Sequence, residues 1–194
     1  WPDPDSLNRL LGAFSKSKKP ILICGHGVWW GKAEQKLERT GRELQIPVYN
    51  IPYHQKLLKE TSDAYMGLAD VHQYPPSSKA LETSDLVLMV GGRLDNQMNF
   101  GNPPLFPQST QLICINGSPE ELEQNRSADQ LLLCDPGAFL DALIEYGKSY
   151  PSLTRASWFN EQQQLRKKWV DKTHNIKIIG DQLYEYYQKL GLPC

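Results

Sequence analysis

At several places in this 194-residue sequence, polar or charged side chains stand directly behind short apolar runs. Arg93 follows Leu86-Val87-Leu88-Met89-Val90-Gly91-Gly92. Asn116, with Gly117, Ser118 and Pro119, follows Leu112-Ile113-Cys114-Ile115. Gly25-His26-Gly27 follows Pro20-Ile21-Leu22-Ile23-Cys24, and Asp135 follows Leu131-Leu132-Leu133-Cys134. Runs of this length bounded by glycine and proline read as buried parallel strands. Polar residues past the carboxyl ends of such strands are where α/β sheets bind ligands. The chemistry on offer is therefore recognition, and no catalytic residue is assigned. His26, His54, His72 and His174 are scattered, and no Cys-x-x-Cys spacing occurs, which speaks against a metal site. No spacing brings Asp70, Asp95, Glu120 and Glu121 together, and the helix dipole accounts for an acidic pair in a first helical turn. Trp29 and Trp30 either stack on a ligand ring or pack in the core or a domain interface.

The elements that position these residues can be read in order. Asp5 or Ser6 caps a first helix with Leu7, Leu10, Leu11 and Phe14 on one stripe. Pro20–Cys24 is the first strand, followed by a turn over residues 25–31 and a helix over 32–45 with Ala33, Leu37 and Leu44 inward. Residues 47–50 form the second strand, and residues 51–74 show no clear period. Pro75 and Pro76 open a helix to Thr83, and Leu86–Val90 is the third strand. A long loop runs from Arg93 to about Thr110. Residues 112–115 and 131–133 are the fourth and fifth strands; Ser118 caps a helical turn, and Asp135-Pro136 opens a helix through Ile144. Strands alternating with helices in this way predict an α/β fold: a Rossmann-like parallel sheet of about five or six strands with helices on both faces. Residues 154–173 read as a polar helix, residues 176–179 as mostly apolar, and residues 181–190 as a further helix. The expected division is a domain over residues 1–150 and a helical connector over 151–194.

With 21 basic and 22 acidic residues, the net charge of −1 gives no electrostatic case for nucleic acid or an anionic membrane. No apolar run approaches the ~20 residues that span a bilayer. Of the four cysteines, Cys24, Cys114 and Cys134 sit in or beside strand-like runs, where free cysteine behaves as a small hydrophobe. A reduced, cytoplasmic setting is expected. The opening Trp1-Pro2-Asp3-Pro4-Asp5 has no Met, basic start or apolar stretch, so the chain is expected to be a piece of a longer protein.

Over roughly residues 5–150 the sequence resembles the central domain of thiamine-diphosphate-dependent enzymes of the acetolactate synthase type. The resemblance rests on several pieces in the family's order: Lys19-Pro20-Ile21-Leu22-Ile23, then Gly25-His26-Gly27, then Gly91-Gly92-Arg93-Leu94. After these come Ile115-Asn116-Gly117-Ser118-Pro119-Glu120-Glu121-Leu122-Glu123-Gln124-Asn125, and Cys134-Asp135 before a helix. The resemblance implies a parent in which thiamine diphosphate and magnesium are held by neighbouring domains. It also implies that the central domain binds FAD, as in acetolactate synthase, or ADP, as in the oxalyl-CoA decarboxylase branch. Carried over by position, Arg93 sits on phosphate, Asn116 on ribose and Asp135 near adenine, while Gly25 and Gly27 permit close backbone approach. His72 falls in a loop that borders the nucleotide in the family. Arginine's planar fork of donors suits phosphate.

The departures are equally specific. Where the family has Ile-Asp-x-Asp, this chain has Asn116 and Ser118, and a neutral acceptor is about half as strong as a charged one. Position 30 is Trp where a dinucleotide fingerprint has its third glycine, and Asn50 stands where such a site has an acid. The Gly-Asp-Gly and Asn-Asn motif that holds magnesium and diphosphate is absent. The expected whole is a carboligase or lyase that works as a homo-dimer or homo-tetramer, with this chain its middle part, inactive alone and in contact with its neighbouring domains. The helix carrying Trp158 and Trp169 is a candidate partner-binding face. Of the two other readings, one is a free-standing adenine-nucleotide-binding regulatory module. The other, an NAD-consuming enzyme of the sirtuin type, lacks a zinc cysteine quartet.

Overall fold

The computed structural model describes residues 1–52, 57–122, 124–147 and 153–189. His54, Leu190, Cys194 and the boundary expected at residue 150 lie outside them. The helices are α1 (Pro4–Lys16), α2 (His26–Trp30), α3 (Glu34–Glu43), α4 (Pro75–Thr83), α5 (Pro136–Gly147) and α6 (Leu153–Lys189). The strands are β1 (Pro20–Cys24), β2 (Val48–Asn50), β3 (Tyr65–Leu68), β4 (Leu86–Val90), β5 (Gln111–Asn116) and β6 (Gln130–Leu133). They form one six-stranded sheet in the order β3-β2-β1-β4-β5-β6, with every pairing parallel. The α/β class, the parallel sheet and its helix-covered faces are as the sequence predicts. Order reverses between β1 and β4, and the crevice at such a switch point is where open α/β sheets take ligands.

The two faces follow from alternation along β2. A methyl built on Gly41 of α3 would touch Val48, so α3 covers that face, and α5 packs beside it. On the opposite face the Tyr49 hydroxyl donates to Gln162 Oε1 of α6 at 3.1 Å. There α6 packs against α4 and β3. The buried runs Ile21–Cys24 and Leu86–Val90 lie between these layers.

Several boundaries differ from expectation, each for a local reason. Asp3, not Asp5 or Ser6, caps α1, its carboxylate accepting from the Ser6 amide. The helix expected over 32–45 shortens to α3 because Lys32 and Gln45 both adopt positive φ, a backbone region that ends a right-handed helix. The turn after β1 contains the five-residue helix α2. The irregular stretch 51–74 conceals β3. The segment from Leu153 to Lys189 is one continuous helix where two were expected. Ser118 does not cap through its side chain; its hydroxyl turns to the Glu120 carboxylate, and only a short 3-10 turn, Pro119–Glu121, follows.

Candidate functional site

Gly25 and Gly27 are required by a contact between two loops. A methyl at Gly25 would lie 2.6 Å from the Gly92 Cα and 2.7 Å from the Gly91 oxygen. One at Gly27 would lie 2.7 Å from the Gly91 Cα. Gly91 takes φ +63, which glycine adopts at no steric cost. Hydrogen bonds seal the joint: the Gly25 amide donates to Val90 O at 3.0 Å and the Gly27 amide to Gly91 O at 2.8 Å. The close backbone approach expected of these glycines is thus made to the Gly91-Gly92 loop.

Beside this joint lies an open cleft of about 420 Å³. It is lined by backbone at Gly27, Gly91 and Gly92, by Trp30 and Ile51, and by His26, Arg93, Asp95, Asn116 and Glu121. Its volume is within the ~300–1,000 Å³ of small-molecule sites. Trp30 is 73% exposed and meets Trp29 edge-to-face at a centroid distance of 4.6 Å, leaving an indole at the cleft.

Arg93 is half exposed, and its Nη1 donates to the Glu121 carboxylate at 3.3 and 3.5 Å. Asn116, at the end of β5, is 9% exposed. Its Oδ1 accepts from the Ser118 amide at 3.2 Å and its Nδ2 donates to Gly92 O at 3.5 Å. It therefore ties the β5 loop to the β4 loop as well as lining the cleft. Asp135 is exposed and does not line it; its Oδ1 accepts from the Ala138 amide at 2.8 Å and caps α5. Of the expected site residues, Gly27, Arg93 and Asn116 share one cleft, Gly25 braces its wall, and Asp135 stands apart.

The structure adds neighbours that spacing did not reveal. Asp95 and Glu121 enter the same cleft, although nothing in the sequence brings them together. Asp70 does not line it: it is 2% exposed and accepts from the His72 and Gln73 amides. His72 is a loop residue whose Nε2 meets Asn96 O at 3.0 Å. Asn50, one residue before Ile51, is 3% exposed, with neither side-chain atom hydrogen-bonded. The long loop after Arg93 is anchored by Arg126, whose guanidinium donates to the carbonyls of Gly101, Phe106, Pro107 and Thr110 and stacks on Phe106 at 4.5 Å.

Burial pushes the Cys24 thiol well up and the Cys134 thiol to about 11, so neither offers a thiolate at neutral pH. Among the described residues, no group of three His, Cys, Asp or Glu side chains is placed to hold a metal ion.

The glycine joint, the switch-point cleft and the Arg93 loop all point one way, and residues 7–143 match the family described as "Thiamine pyrophosphate enzyme, central domain". The chain belongs to that family. It is 32% identical to the acetolactate synthase large subunit of Mycobacterium tuberculosis over 146 residues, covering 75% of this chain and 25% of the relative. It is 22% identical to oxalyl-CoA decarboxylase of Escherichia coli over 98% of this chain and 32% of that protein. The benzoylformate decarboxylase from Polynucleobacter necessarius superposes with a TM-score of 0.63 at 19% identity, covering 75% of this chain and 27% of that one. The chain thus spans about a quarter to a third of the length of these relatives. No described helix is long and apolar enough to cross a membrane.

Proposed function

We propose that this chain is the middle domain of a thiamine-diphosphate-dependent carboligase or lyase of the acetolactate synthase or 2-hydroxyacyl-CoA lyase kind, with a cleft that takes an adenine nucleotide, FAD or ADP. The observation that carries the nucleotide reading is the convergence of Arg93, Asn116, Gly27 and Trp30 on one cleft at the β1/β4 switch point. These residues fit such a ligand: Arg93 is a donor fork for phosphate, and Trp30 and Ile51 are apolar surface for a ring. They do not fit thiamine diphosphate and magnesium, since the motif for that pair is absent from the sequence. Those groups belong to neighbouring domains of a cytoplasmic parent that works as a homo-dimer or homo-tetramer. Residues 1–150 serve as the nucleotide-binding unit, and residues 151–194 lead on as a helical connector. The parent makes or breaks a carbon–carbon bond next to a carbonyl through the bound cofactor, and this domain supplies scaffold and nucleotide site.

Thermal-shift titration of the chain with FAD, ADP and coenzyme A tests the reading. At 100 times the dissociation constant a ligand adds about 2.7 kcal/mol. For a chain of this size that raises Tm by roughly 5–11 °C. Thiamine diphosphate itself should give no shift. Failure of FAD, ADP and coenzyme A alike would remove the nucleotide from the proposal and leave a scaffold domain.

A further inference from the structure

Arg93, which lines the cleft, already has a counter-ion. Arg93 Nη1 lies 3.3 Å from Glu121 Oε1, and Asp95 adds a second carboxylate to the lining. A phosphate approaching Arg93 therefore meets the Glu121 carboxylate already in place. The pairing comes from sheet register. Val90 of β4 stands opposite Ile115 of β5, and the Gly91 amide donates to Ile115 O at 2.8 Å. The loops that follow are therefore neighbours, and Arg93 from one meets Glu121 from the other.

We propose that Glu121 is a specificity-determining residue of this cleft: it competes with phosphate for Arg93 and so lowers the affinity for nucleoside diphosphates relative to the bare nucleoside. The inference rests on the reading of the cleft as an adenine-nucleotide site. A diphosphate on Arg93 displaces the Glu121 carboxylate from Nη1 or shares the guanidinium with it, and either way stands beside a negative charge. Adenosine, with no charge to place on Arg93, leaves the pair intact. The pair is half exposed on both sides, and exposed ion pairs of this kind add little to stability. Glu121→Gln therefore leaves the fold in place while removing the competing charge.

Calorimetric titration of the full chain with ADP and with adenosine, before and after Glu121→Gln, tests this. The expected result is ADP affinity raised about tenfold, equivalent to 1.4 kcal/mol, with adenosine affinity changed less than about twofold. Adding Arg93→Gln to Glu121→Gln should abolish the gain. ADP binding equally well, or more weakly, after Glu121→Gln overturns the inference while the nucleotide reading stands. ADP binding to neither protein overturns the inference, and the nucleotide reading falls with it when FAD and coenzyme A also fail to bind.

Discussion

At the carboxyl ends of β1 and β4 two loops touch backbone to backbone, whereas on the flank of α4, α6 and β3 long side chains reach across to distant backbone. The cleft rim depends on absent side chains: at Gly25, Gly27 and Gly91 a methyl would run into backbone. The flank depends on large ones. Trp158 is 2% exposed and donates from its indole to Pro20 O at 2.9 Å. Tyr74 donates its hydroxyl to Met66 O at 2.7 Å and meets Trp169 edge-to-face. The rim is closed by main-chain contacts between the β1 and β4 loops, with Asn116 tying the β5 loop to Gly92 O, and Trp30 and Arg93 line the open cleft beside it. Trp158 accordingly belongs to the core of this chain and is not available as a partner-binding face.

This contrast can be broken at either end. Trp158→Ala should be the costliest change, about 3–5 kcal/mol in urea denaturation, because it removes a large buried volume and orphans Pro20 O. A loss below about 1 kcal/mol would mean that the flank does not rest on it. Gly25→Ala should cost about 1–3 kcal/mol, since the methyl meets backbone that cannot swing away. Gly12→Ala is the control: nothing lies within 4 Å of the added methyl, and alanine in a helix interior should add about 0.5–1 kcal/mol. If both glycines respond alike, the rim is not built on close approach.

Asn50→Leu sharpens the comparison from the rim side. Replacing an unpartnered buried amide by an apolar group of similar size should leave stability unchanged or raise it by about 1 kcal/mol. A loss of several kcal/mol would reveal a partner for that amide. On the flank, Tyr74→Phe should cost about 1 kcal/mol at neutral pH through the lost bond to Met66 O. Burial raises the Tyr74 phenol from 10.0 to about 12. The folded state therefore favours the neutral phenol, and its contribution is complete below pH 10 and declines between pH 10 and 12. The gap between wild type and Tyr74→Phe should close over that window in denaturation curves taken at rising pH.

What was legible follows the same divide. Strands β1, β4 and β5 declare themselves because they are buried on both faces, so their sequences are unbroken apolar runs between glycine and proline. The strand β3 does not: it holds Gly67 at φ +118 under the Tyr74 ring, and that packing depends on a residue the local pattern cannot see. The five-residue helix α2 hides in a glycine-rich turn for a similar reason. Arg93 and Asn116 could be singled out because each follows a strand. Glu121 could not, because its meeting with Arg93 needs the β4–β5 register. Taken alone, an acidic residue in a first turn is explained by the helix dipole.

The central claim is that the switch-point cleft receives an adenine nucleotide through Arg93. A crystal structure of the chain grown with saturating ADP tests it most directly. The account predicts the diphosphate within hydrogen-bond reach of Arg93, between Gly27 and Asn116, with Glu121 displaced from Nη1 or sharing the guanidinium. ADP bound elsewhere, or a cleft empty of ligand with Arg93 still on Glu121, would contradict it.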